Sequence, residues 1–282
     1  MYGGRPPARK QARRSSDREI LCFAPQRRLI RTTAMSRVMC YKCFWPQPMC
    51  WCATLQPMAT RTRLVFLMSP KEFKTEKGGT GRLTHLCLPN SELHMGENFD
   101  RNETVQELIA DPKNHCMLLY PGVTARNLSK GDFTPVELGA RRLVVFLIDA
   151  TWGGARKLLR LSPSLQRLPR IMFTPSAPSR YIIKQQPQEG CLSTLEAVHE
   201  LLMALERSGL DRYEKPAQLL DVFQRMQELM IKCAADSTRP GYRRRPYQNP
   251  ADRLGAERTL GKRRMKFLKV EPAGAVLPGS SS

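Results

Sequence analysis

The sequence predicts an α/β domain with a mostly parallel sheet and flanking helices. Three observations carry that prediction. Short unbroken apolar runs, such as "RLVFLM" at Arg63 to Met68 and "RLVVFLID" at Arg142 to Asp149, read as buried strands. Helical periodicities lie between and after them. The longest run ends on a carboxylate followed at once by helix-start residues, the order expected at the ligand edge of such a sheet.

In chain order, residues 1–37 read as a basic flexible arm, and residues 38–60 as a compact Cys/Trp/Pro segment. "RLVFLM" is the first strand. The polar stretch after it, Ser69 to Phe99, contains Gly78, Gly79 and Gly81 and reads as a mobile loop. "ETVQELIAD" is a helix capped by Asn102 and stopped before Pro112. "CMLLYPG", Cys116 to Gly122, is a second buried strand ending in a Pro-Gly turn, and "RLVVFLID" a third. In the helix that follows, Thr151 takes the cap and Ala155, Leu158 and Leu159 face the sheet. Ser162-Pro163 ends it. "RIMFTPS" and "RYIIKQ" are weaker strand candidates. "CLSTLEAVHELLMALERSGL" carries Ser193 and Glu196 at capping-box spacing ahead of an apolar helical pattern. A last amphipathic helix runs from about Lys215 to Ala235, and a basic tail fills residues 238–282.

The net charge is +21, and it is concentrated at the ends. Residues 1–37 carry +8 and residues 239–269 carry +9, so the body between them is only mildly basic. Two basic arms on a nearly balanced body suit phosphate contacts with a nucleic acid, in which Arg243, Arg244 and Arg245 would take part; solvated ends are the plainer reading. No apolar run reaches the roughly 18 residues that cross a bilayer, and the basic start lacks a secretory apolar core. A cytoplasmic protein with reduced thiols, no membrane contact and no obligate protein partner is expected.

Four of the nine cysteines fall within thirteen residues, "CYKCFWPQPMCWC". Cys40 and Cys43 are spaced C-x2-C; Cys50 and Cys52 are spaced C-x-C. Four thiolates on one short loop, turned by Pro46 and Pro48, can close a tetrahedral zinc site, with a disulfide pair as the alternative. Such a site is structural, because four protein ligands leave no position open for water. Cys22, Cys87, Cys116, Cys191 and Cys233 are scattered and most of them read as core residues, and the four histidines form no site.

Asp149 is either a ligand-facing carboxylate at a strand end or a helix-capping one. At this point the chain resembles the DTW-domain family. "DATW", then "ARK" and "LSPSLQRLPR", carry the likeness, together with the Cys-rich start, "TGR" before "CLPNSEL", "LLYPG" and "LSTLEA", in the right order over roughly residues 38–232. Gly153 and Gly154 depart from it, standing where members usually carry better helix formers. The resemblance implies that residues 61–237 are a DTW catalytic domain with a SPOUT-like sheet, knotted in related enzymes. It implies transfer of a 3-amino-3-carboxypropyl group from S-adenosylmethionine to N3 of a tRNA uridine, releasing methylthioadenosine. On the matching positions, Asp149, Thr151 and Trp152 become candidate catalytic residues, Asp149 as the base or as a cofactor ligand. Thr80, Gly81, Arg82, Pro121, Gly122, Ser193, Thr194 and Glu196 become candidates for the S-adenosylmethionine site, with the capping box as the plainer reading of Ser193 and Glu196. Arg156, Lys157 and Arg160 become RNA-binding candidates, or else a solvated helix face. The rival readings are an S-adenosylmethionine-dependent RNA methyltransferase and a non-catalytic zinc-containing RNA-binding protein.

Overall fold

The computed structural model describes residues 38–75, 79–183 and 191–236. The two basic arms, with Arg243, Arg244 and Arg245, lie outside the described residues, as does Cys22.

The elements are β1 (Arg63–Met68), α1 (Pro70–Thr75), α2 (Thr80–Cys87), β2 (Ser91–Met95), α3 (Glu103–Ala110), β3 (Asn114–Leu119), β4 (Arg126–Asn127), α4 (Pro135–Leu138), β5 (Arg142–Asp149), α5 (Trp152–Leu161), α6 (Pro163–Gln166), β6 (Arg170–Met172), α7 (Thr194–Arg207) and α8 (Pro216–Ala235). The strands form one six-stranded sheet in the order β2-β1-β5-β3-β6-β4. Every pairing is parallel, so all strand C-termini lie along one rim. β5 sits inside the sheet between β1 and β3, which is why its sequence is an unbroken apolar run.

Alternation along β5 divides the core in two. Leu143, Val145 and Leu147 pack with α2, α7, α8 and the Cys-rich segment; Val144 and Phe146 pack with α3, α5 and α6. By the same alternation Asp149 leaves the sheet on the α2 and α7 side. In register it stands beside Met68, the last residue of β1.

Several expectations hold. Asn102 caps α3 through Val105 N, Thr151 caps α5 through Gly154 N, and Ser193 and Glu196 form a complete capping box on α7. Ala155, Leu158 and Leu159 are buried. Two expectations do not. The stretch read as a mobile loop contains α1, α2 and β2. β2 is an edge strand, half-buried along most of its length, so its sequence "SELHM" shows no apolar run. The described part of "RYIIKQ", Arg180 to Ile183, forms no strand; its backbone N–H groups at Arg180 and Ile182 go to the Glu196 and Gln227 side chains instead of a neighbouring strand. Among the described residues, no helix is long and apolar enough to cross a membrane.

Gly153 has open space where a side chain would point. Gly153→Ala is therefore expected to stabilise the domain by about 0.5–1 kcal/mol through helix propensity alone. Thermal unfolding should move up by about 2 °C; a fall would mean that the position does something beyond starting a helix.

Candidate active site and metal centre

The rim site is built around Asp149. The Thr194 hydroxyl, at the first position of α7, donates to Asp149 Oδ1 at 2.7 Å. Gly81, in the first turn of α2, lies against the other oxygen: a Cβ there would touch Oδ2 and come within 2.7 Å of Cγ. Thr151, two residues on, caps α5. Three helix N-termini thus gather round one half-buried carboxylate, an arrangement that favours negative charge at that point. Gly81→Ala should push the carboxylate off this position; at fixed fold, a displacement of about 1 Å costs turnover on the order of 10²-fold. Near-normal activity in a folded Gly81→Ala protein would show that the Asp149 position is not critical.

Arg82, the next residue on α2, is only 6% exposed. Its guanidinium lies against two rings that themselves meet edge to face, 4.1 Å from the Phe44 centroid and 4.5 Å from that of Phe73. It also donates to the Phe73 carbonyl at 3.0 Å. Burial pulls its pKa down, and the charge of Asp149 opposes that pull. Arg82 therefore joins the strand-end carboxylate to the Cys-rich segment, where Phe44 is the one described non-glycine residue with positive φ, at 59°. That left-handed backbone costs about 1–2 kcal/mol. It is held by the knuckle that Cys40 and Phe44 close, with Cys40 N donating to Trp45 O and Phe44 N to Cys40 O, both at 2.8 Å.

The knuckle brings the four predicted cysteines together. Their Sγ atoms all lie within 4.8 Å of one another. Cys40 and Cys52 are 3.8 Å apart, and so are Cys43 and Cys50. A tetrahedral zinc with bonds of about 2.3 Å places its sulfurs about 3.8 Å apart, so the donor set fits that metal. None of the four is in a disulfide. Backbone N–H groups of Cys43 and Lys42 pull the Cys40 thiol down to about 6, while burial pushes Cys43 and Cys52 up. Trp45 and Trp51 are buried behind the loop, their centroids 5.1 Å apart, and tie it into the α7 and α8 side of the core.

The remaining candidates divide. Ser193 and Glu196 serve the capping box, and the Glu196 carboxylate also accepts from Ser179 Oγ at 2.8 Å and from Arg180 N at 2.6 Å. The carbonyl of the buried Thr80 accepts from the Thr84 hydroxyl. Pro121 and Gly122 are exposed at the rim after β3. Trp152 is 36% exposed and meets Tyr120 edge to face, centroids 6.2 Å apart. Arg156, Lys157 and Arg160 are exposed on α5, with Lys157 paired to Glu97 at 2.8 Å. Sequence reasoning missed Phe44 and Phe73 as site residues, and placed Tyr120 at a ligand-facing strand end without giving it a role. An aromatic directly after Cys43 was the one signal for the first, and nothing local marks Phe73.

The DTW domain family matches residues 37–231 of the chain. Among curated proteins, tRNA-uridine aminocarboxypropyltransferase 2 of Drosophila melanogaster is 33% identical over 177 residues, covering 60% of this chain and 67% of that protein. The Mus musculus protein of the same name is 30% identical over 211 residues, 72% of this chain and 69% of its own length. tRNA-uridine aminocarboxypropyltransferase A of Arabidopsis thaliana is 24% identical over 238 residues, 76% of this chain and 89% of its own. No solved structure gives a significant match.

Proposed function

The chain belongs to the DTW-domain family, and on that premise we propose that it modifies tRNA by moving the 3-amino-3-carboxypropyl group of S-adenosylmethionine to N3 of a uridine. The observation that carries this reading is the carboxylate at the end of β5, held by Thr194 and packed against Gly81 beside a partly exposed tryptophan. Its surroundings suit both reactants. A carboxylate answers the ammonium and sulfonium charges of S-adenosylmethionine, and the Trp152 and Tyr120 rings offer faces to adenine or uracil. A stacked base is worth about 1–3 kcal/mol at such a ring.

The chemistry needs one proton removed. Uridine N3 carries a weakly acidic hydrogen and becomes a nucleophile when it is lost. In the proposed step Asp149 takes that proton as N3 forms a bond to the γ-carbon of the co-substrate. The carbon–sulfur bond breaks, its electron pair returns to sulfur, and neutral methylthioadenosine leaves. The sulfonium is already a good leaving group, so no metal is required at the reacting carbon. Thr194 holds the Asp149 carboxylate in one orientation, which is what a general base needs before its basicity matters. Which carbon is transferred is set by the pose of the co-substrate against this fixed base.

Zinc has a separate place. Cys40, Cys43, Cys50 and Cys52 would hold it, and when bound it would lock the knuckle that carries Phe44. With all four positions taken by sulfur, it has no role at the substrate. The basic arms, with Arg243, Arg244 and Arg245, together with Arg156, Lys157 and Arg160, would add sequence-independent phosphate contacts, and an unpaired loop base would supply selectivity.

The test is direct. Purified protein is incubated with unmodified tRNA and S-adenosylmethionine, and the digested nucleosides are weighed. A uridine heavier by one aminocarboxypropyl group, with methylthioadenosine released, is the expected result. A methyl-sized gain with S-adenosylhomocysteine would replace the proposal with a methyltransferase. Tight binding without any gain would leave an RNA-binding protein.

A further inference from the structure

Beside the rim, between the start of β4 and the α6-to-β6 connection, lies a cleft of about 450 Å³ lined by Thr124, Arg126, Gln166, Arg167, Leu168, Pro169 and Arg170. Three of those seven residues are arginines and none is acidic. Arg126 is fixed in place: it pairs with Glu137 at 2.7 Å and lies 5.1 Å from the Phe133 ring. Among the described residues, neither Arg167 nor Arg170 has a carboxylate partner. Arg167 is exposed and Arg170 half-buried. Two guanidinium groups left uncompensated beside a third, pinned one make a site for an anion of more than one charge.

Its position ties it to the reacting end of the molecule. Arg170 pairs in register with Leu118, one residue short of the end of β3, and its guanidinium reaches back to 5.4 Å from the Tyr120 ring. Tyr120 meets Trp152, three residues beyond Asp149. Arg170, Tyr120 and Trp152 thus form a chain of contacts from the cleft to the start of α5, three residues past the strand-end carboxylate. S-adenosylmethionine does not suit it. The residues lining the cleft include no ring to stack adenine and no carboxylate to meet the ammonium or sulfonium, and its two uncompensated guanidinium groups would repel both cations. A polyanionic strand with bases to stack suits the whole path.

We propose that this cleft carries the RNA backbone flanking the target uridine, with Arg167 and Arg170 on successive phosphates and the base turned toward Trp152 and Tyr120. The proposal rests on the tRNA reading above and adds to it a track built from residues other than the basic arms and the α5 arginines.

Arg167→Gln, Arg170→Gln and the double variant, in the full chain, test it by filter binding of unmodified tRNA across a salt series. Arg207→Gln, an exposed charge loss at the end of α7, is the control. Each cleft variant should weaken binding several-fold more than the control and lower the log–log salt slope by about 0.7–0.9 for each phosphate it no longer neutralises. The KM for tRNA should rise while the KM for S-adenosylmethionine and kcat at saturating tRNA hold. Salt slopes equal to those of the control would overturn the track. So would loss of inorganic phosphate binding with tRNA affinity intact, which would make the cleft a small-anion site. Failure of the transferase reading shows separately, as wild-type protein that yields no heavier uridine while the salt slopes are still measurable.

Discussion

Asp149→Ala is expected to lower single-turnover transfer by about 10²–10⁴-fold, the usual contribution of a positioned general base, while tRNA affinity stays near that of the wild type. Two features of the site make the effect this specific. The carboxylate is held in one orientation by the 2.7 Å hydrogen bond from Thr194, and it lies at the end of β5, away from the four cysteine sulfurs in sequence and element. Asp149→Asn separates placement from proton transfer. The amide oxygen can still accept from Thr194, so the surroundings should persist while the base is lost. If Asn behaves like Ala in rate and like wild type in melting temperature, the carboxylate works through its proton. A folded Asp149→Ala protein with full activity would remove Asp149 from the chemistry and leave it only as the hydrogen-bond partner of Thr194.

The other large effect is expected at the cysteines. Cys40→Ser should abolish stoichiometric zinc and destabilise the domain by about 4 kcal/mol or more, the range reserved for losses such as a metal. The cost reaches beyond the loop because Cys43, Trp45, Trp51 and Met58 belong to the same core as α7 and α8. Trp45 and Trp51 are 5% and 8% exposed, so their fluorescence should shift to the red as the loop opens. Activity should fall too, because Phe44 would no longer cover Arg82. Phe44→Leu isolates that last effect: zinc content stays, the ring stack goes, and an interaction worth about 1–2 kcal/mol when desolvated is removed from Arg82. Zinc-free wild-type protein that keeps its tryptophan emission and its melting temperature would show that the four thiols hold no structural metal.

Much of the scaffold could be read from residues because the physics there is local. β1 and β5 are buried on both faces, and a strand buried on both faces must be apolar at every position. The start of α7 could be read because a capping box is a three-residue interaction. β2 could not, since an edge strand with polar residues obeys no such rule, and α2 is an eight-residue helix flanked by glycine with few apolar positions. At the site the same division holds. Asp149 and Thr194 were both candidates, but the bond between them spans 45 residues and exists only through the order of the strands. Glu196 shows the reverse. Its local signal was the capping box, and the structure adds two further hydrogen bonds, from Ser179 and Arg180, that no spacing announces. The contact of Arg82 with the Phe44 and Phe73 rings joins three separate segments, and no spacing in any of them announces it.

Gly81 and Gly153 belong to one rim, yet they stand at opposite limits of what descent can change. The first is pressed against a carboxylate with no room for a single carbon; the second faces empty space. Sequence drift in this lineage therefore meets a closed door at 81 and an open one at 153. Helix formers can accumulate beside the carboxylate on α5, while the approach from α2 keeps its bare backbone for as long as the carboxylate is used.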